Sequence, residues 1–185
     1  MRNFSRSFTL IEMLVVVAVV ALALPAVFTI IFSILKQQTK IYTLQETKRQ
    51  GDFLLNSIKT TIRTSAISIH SDTPATGDNG ICKTAQSSAA GSSTMYFLDS
   101  LNNTFGYRLD ADKVSSASSI SNASGDLTNP DKVKILAFQM SCKRTGTFSP
   151  PIATISFTAQ YNTTSTRPED IASFNYQTKI QLKSY

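Results

Sequence analysis

Hydrophobic positions fall into three regimes along the chain. Residues 13–35 carry no charged side chain and are dominated by Val, Ala, Leu, Ile and Phe. As a helix this stretch rises about 35 Å, at about 1.5 Å per residue, enough to cross the hydrocarbon core of a bilayer. A secretory signal has a shorter apolar run, about 7–15 residues, closed by a small-residue cleavage site. Here Ala21-Leu22-Ala23 sits in mid-run with apolar sequence continuing beyond it, so the pattern predicts a retained transmembrane helix over residues 8–35. Pro25 lies inside it. A proline removes one helical hydrogen bond and crowds the preceding turn, which predicts a kink at that point. A membrane helix tolerates this where neighbouring groups satisfy the released carbonyl.

The second regime is amphipathic. Ile41, Leu44, Leu55, Ile58 and Ile62 recur at or near helical spacing, and Lys36, Lys40, Lys48, Arg49, Asp52, Lys59 and Arg63 supply the polar face. The reading is a stalk helix over residues 36–63, continuous with the membrane segment and about 84 Å long in all. Gly51 is its weak point, at about 1 kcal/mol relative to Ala.

The third regime has period two. Residues 94–98 and 104–109 form a predicted hairpin around a turn at 99–103, and 133–140 is a third strand. Residues 153–161 and 174–182 alternate Ile155, Phe157, Ala159 and Phe174, Tyr176, Ile180 with polar neighbours. Segments 71–94 and 110–132, rich in Ser, Thr, Ala, Asn, Asp and Gly, read as loops. The fold class is therefore α+β. A long N-terminal helix, half transmembrane and half amphipathic, covers an antiparallel β-sheet head over residues 64–185.

Charge narrows the function classes. The chain holds 18 basic and 12 acidic side chains among 185 residues, yet residues 64–185 carry only ten basic against nine acidic. Such a head lacks the net basic character expected of a nucleic-acid-binding domain, so no direct nucleic-acid binding is expected. One His and two Cys leave little for a zinc site or a His-based catalytic centre. His70 reads as a polar residue where the stalk helix ends. Asp110 and Asp112, with Asp126 and Asp131 nearby, read as solvated loop acids without an EF-hand pattern. Asn102, Asn122 and Asn162 begin N-x-S/T triplets, expected to arise by chance in a Ser/Thr-rich chain. No phosphate-binding glycine loop and no hydrolase motif is present, so neither catalysis nor a cofactor or metal is expected. Arg2 and Arg6 precede the apolar run and Lys36, Lys40, Lys48 and Arg49 follow it, so charge alone does not orient the span.

Glu12 stands at the edge of the apolar run, where a carboxylate costs a few kcal/mol if drawn into the bilayer. The run Ser7-Phe8-Thr9-Leu10-Ile11-Glu12-Met13-Leu14-Val15 resembles the N-terminal signal of type IV pilins and type II secretion pseudopilins. That resemblance implies a leader over residues 1–7, cleavage between Ser7 and Phe8 by a prepilin peptidase, and N-methylation at Phe8. Glu12 would be the assembly glutamate, pairing with the Phe8 amine of a neighbouring subunit. In a low-dielectric bundle such a pair sets register among otherwise non-directional apolar contacts. The sequence departs from the family at Ser7, where Gly is usual. Residues 44–63, LQETKRQGDFLLNSIKTTIR, together with the strand pattern, are similar in layout to J-type minor pseudopilins and W-type minor pilins.

The family resemblance implies a structural subunit, with the peptidase, other pilins or pseudopilins, an inner-membrane assembly platform and membrane lipid as partners. It also implies a single pass through the bacterial inner membrane with the head outside the cytoplasm, followed by incorporation into a pilus or pseudopilus. An exported head favours a disulfide between Cys82 and Cys142 over two reduced thiols. The alternative class is a single-pass anchored binding or adhesion module that forms no filament.

Overall fold

The computed structural model describes residues 9–72, 80–118, 124–146 and 148–183. One helix, α1, runs from Leu10 to Ser65. It is followed by β1 (Ser68–His70), β2 (Gly80–Ile81), β3 (Ser88–Ser92), β4 (Thr94–Leu98), β5 (Thr104–Asp110), β6 (Lys113–Ser118), β7 (Ser124–Asp126), β8 (Val133–Lys143), β9 (Ile152–Tyr161) and β10 (Ser173–Gln181). The layout is α+β, a long N-terminal helix packed on antiparallel sheet.

The head contains two sheets where the sequence pattern suggested one. Six short strands run in the order β2-β1-β4-β5-β6-β7, and four longer ones in the order β10-β9-β8-β3. The chain passes from the second sheet to the first through Ser93, between β3 and β4. The segments read as loops hold β2, β3, β6 and β7. Their side chains are Ser, Ala, Gly and Lys for the most part, so backbone pairing holds these strands and no apolar alternation announces them.

α1 lies against β8, β9 and β10. Its buried positions are Thr43, Glu46, Thr47, Gly51, Leu54, Ile58 and Ile62, a helical stripe displaced from the expected one. Leu54 is fully buried while Leu55 is only half-buried, and Ile41 is 52% exposed. The first part of the stripe is polar or small, with the Thr43 hydroxyl donating to the Glu169 carbonyl and Gly51 lying against Tyr176; the second part uses branched aliphatics that reach into one core. That core joins Leu54, Ile58 and Ile62 to Ile155, Phe157 and Ile180 of the four-stranded sheet and to Met95, Phe97 and Val114 of the six-stranded sheet.

β8 shows how one strand serves this core with a broken alternation. Its pairing with β9 shifts by one residue between Leu136 and Gln139, and Ala137 takes a φ of 51°. The bulge moves the inward positions from Val133 and Ile135 to Phe138, Met140 and Cys142, all buried. At the hairpin between β4 and β5 the Asp99 carboxylate accepts from the amides of Leu101 and Asn103, both at 2.8 Å. Cys82 and Cys142 form a disulfide with Cα atoms 6.3 Å apart, tying the segment after β2 to β8.

Candidate assembly helix

The helix start is set by local chemistry. Thr9 has extended backbone angles, and its hydroxyl and carbonyl both accept from the amide of Glu12, at 3.4 and 3.1 Å. This N-cap places Glu12 in the first helical turn, where a carboxylate interacts favourably with the exposed amides. Glu12 is exposed, and among the described residues it has no ion-pair partner. Ser7 and Phe8, the expected cleavage and methylation positions, lie outside the described residues.

From Leu10 to Thr39 every helical residue is exposed. The helix is long and apolar enough to cross a membrane, and its most apolar window contributes nothing to the head's core. A run of Val, Leu, Ile and Phe left bare on every side is a surface made for lipid or for other apolar helices. The helix continues through Pro25, and the hydroxyl of Thr29 donates to the Pro25 carbonyl at 2.9 Å.

Burial begins where the head clasps the helix. The Lys40 ammonium donates to the carbonyls of Pro168 (2.7 Å) and Ile171, in the segment between β9 and β10. Lys40, assigned to the solvated face from sequence, is thus half-buried beneath that segment. Three residues after Thr43, Glu46 accepts from Arg49 through both oxygens, at 3.1 and 2.8 Å, and from Gln50 at 3.3 Å. Lys132, just ahead of β8, lies 3.7 Å away. The hydrogen bond from Arg49 holds the Glu46 carboxyl below the usual carboxylate range, against the opposing effect of its burial. Glu46 links the helix to Lys132 and was not singled out from the sequence; its place three residues after Thr43, beside the 43–47–51–54–58–62 stripe, was the available signal.

The remaining candidates separate. His70 is buried on β1, not exposed at a helix end, with its Nε2 2.8 Å from the Ser68 hydroxyl. Asp110, Asp112 and Asp126 pair individually with Arg108, Lys134 and Lys113. Asn162 donates to the Pro130 carbonyl at 2.7 Å, Asn102 sits in the β4–β5 turn with a φ of 61°, and Asn122 lies outside the described residues. Among the described residues no group of three or more His, Cys, Asp or Glu is placed to hold a metal ion.

Residues 2–24 match the model of the prokaryotic N-terminal methylation motif. Comparison with curated proteins gives no match, and comparison with solved structures gives none. The matched segment spans Arg2, Arg6, Ser7, Phe8, Glu12 and the first half of the bare helix. The motif is thus joined to a helix that the head leaves uncovered from Leu10 to Thr39. The chain carries the prepilin-type N-terminal signal of the type IV pilin and pseudopilin family.

Proposed function

We propose that this chain is a minor structural subunit of a type IV pilus or type II secretion pseudopilus, without enzymatic activity of its own. The observation that carries the reading is the methylation motif over residues 2–24 continuing into thirty helical residues that the head leaves exposed. In this reading residues 1–7 are the leader, a prepilin peptidase cuts between Ser7 and Phe8, and the new Phe8 amine is methylated. Before assembly, residues 8–35 hold the subunit in the bacterial inner membrane, with the head on the extracytoplasmic side. The Cys82–Cys142 disulfide supports that side, because such bonds persist in oxidising compartments.

Assembly then exchanges lipid for protein around the same helix. The apolar side chains from Leu10 to Leu35 pack against other subunits, and an assembly platform in the inner membrane draws the helix out. Glu12, one turn inside the cap and without an ion-pair partner among the described residues, pairs with the Phe8 amine of a neighbour. A charge in such a bundle is tolerated once paired and strongly penalised otherwise, so the pair selects one axial register. Pro25, where the helix can bend, lets the membrane half adjust while the head stays fixed by Lys40 and Glu46. The minor role is supported by the layout of the stalk and strands.

The test is intact mass and N-terminal peptide mapping of the protein isolated from its own host. A chain beginning at N-methylated Phe8 is the expected result. A chain beginning at Met1 counts against processing and favours an anchored binding module.

A further inference from the structure

The near-zero net charge of the head conceals a local excess of cations. Lys59 and Arg63, near the C-terminal end of α1, and the run from Lys179 through Lys183 line an open groove of about 430 Å³. Lys59, Arg63 and Lys179 are exposed and none of them forms an ion pair among the described residues. No acid lines this groove among the described residues, and Asp110, Asp112 and Asp126 of the head and Glu46 of α1 each have a basic partner away from it.

The floor of the groove is a sheet edge. Among the described residues β10 is the terminal strand of its sheet and pairs with β9 alone. The Leu182 amide donates to Pro151, and the Tyr161 amide donates to Ala172, at 3.1 and 2.8 Å. These two bonds fix the even-numbered residues of the strand as the ones whose backbone groups turn toward β9. Backbone groups of an antiparallel strand alternate sides, so those of Asn175, Gln177, Lys179 and Gln181 turn outward.

We propose that this edge and the basic wall beside it form a docking site for an extended, acidic segment of a partner protein, added to the sheet as a further strand. Exposed strand edges pair readily, and lysines are the usual guard against it. Here the guard is selective. A second copy presenting the same edge would set lysines against lysines, whereas a segment carrying Glu or Asp meets Lys59, Arg63 and Lys179 with opposite charge. Main-chain bonds would supply affinity and the cations would choose the partner. The site lies at the C-terminal end of α1 and does not involve its exposed residues 10–39, so it stands whether or not the subunit enters a filament.

The test is fluorescence anisotropy on the full chain in detergent micelles, with a labelled peptide alternating glutamate and threonine. The expected result is saturable binding, weakened roughly tenfold or more by Lys59→Glu with Arg63→Glu. N-methylation of alternate peptide amides, which removes strand bonds and keeps the charge, should weaken it to a similar degree. The substituted side chains are exposed, so an unchanged melting temperature confirms that the variant remains folded. Equal binding by the methylated peptide, or by a lysine–threonine peptide, overturns the proposal. So does tighter binding of a single-stranded oligonucleotide of equal charge, which would make the groove a phosphate surface.

Discussion

The ring of Tyr176 lies where a side chain at Gly51 would have to go. A Cβ built on Gly51 runs into the outer ring atoms and hydroxyl of Tyr176, and that hydroxyl donates to the Lys48 carbonyl at 3.2 Å. The ring is backed by Phe157, stacked at 4.9 Å, so it has little room to yield. The residue that looks like a defect in the stalk helix is the one that makes room for a β10 side chain against the helix.

Gly51→Ala should therefore destabilise the head, although Ala is the better helix former by about 1 kcal/mol. Overpacking of this kind typically costs about 1–3 kcal/mol, so the net loss should be of the order of 1 kcal/mol. Thermal melting of Gly51→Ala, Tyr176→Ala and the double variant checks it. The double variant should lose less than the sum of the two, and strict additivity would dissociate the pair.

Tyr176 also makes a pH prediction. Its burial, followed by the nearby Asp52 carboxylate, pushes the phenol from 10.0 up to about 12. A group whose pKa rises on folding adds stability that is complete below the unfolded value and disappears as pH climbs through the folded one. Stability should thus fall between pH 10 and 12, and Tyr176→Phe should flatten that part of the profile. Phenolate absorbance should show Tyr176 titrating late, alongside Tyr107, whose phenol burial also raises, and an unchanged late-titrating amplitude in Tyr176→Phe would contradict the assignment.

Glu46 gives the opposite sign. Its carboxyl is held low by Arg49, so its contribution is present above the ordinary carboxylate pKa and is lost as pH falls through the lowered folded value. Denaturant midpoints measured from neutral pH into the acid range should decline less steeply in Glu46→Gln than in the parent chain. An identical acid slope would show that the carboxylate's pairing is not what links the helix to the start of β8.

How far these features could be read in advance depends on what holds each element. β4, β5, β8, β9 and β10 were legible because Met95, Phe97, Tyr107, Ile155, Phe157 and Ile180 alternate with polar residues, and the pleat needs that alternation to bury one face. β3 and β6 were not, because Ser-Ala-Ala-Gly-Ser and Lys-Val-Ser-Ser-Ala-Ser contribute mainly backbone bonds. The division into two sheets was also hidden, since it is fixed by long-range pairing. On the helix, Ile41 and Leu44 attracted attention for their hydrophobicity, while Thr43, Thr47 and Gly51 were chosen for small size. Signal and span, by contrast, depend on order and composition alone, and those are fully visible.

The disulfide should contribute about 4 kcal/mol on the chain-entropy model for a 60-residue separation. Replacing both Cys82 and Cys142 by Ser should lower the denaturant midpoint accordingly, and reductant should shift the parent chain to the same value. A parent chain insensitive to reductant would show that the bond is not formed or does not constrain the unfolded chain.

Glu12 separates assembly from folding most sharply. It is exposed, it lies a full membrane span away from the first buried helical residue, Thr43, and among the described residues it makes no ion pair with the head. Glu12→Ala should leave the stability of the head within about 0.5 kcal/mol of the parent, with an essentially unchanged melting temperature. If Glu12 and the Phe8 amine of a neighbour form a pair within the bundle, the same variant should be largely missing from sheared filaments in the host. Glu12→Gln tests the charge specifically: it keeps the size and can still cap the first turn weakly, yet it cannot neutralise an amine. Loss of incorporation in both variants, with normal membrane levels and normal melting, is the outcome expected of a register-setting pair. Normal incorporation of Glu12→Gln would mean that the side chain acts only at the helix cap, and that apolar packing alone sets the register.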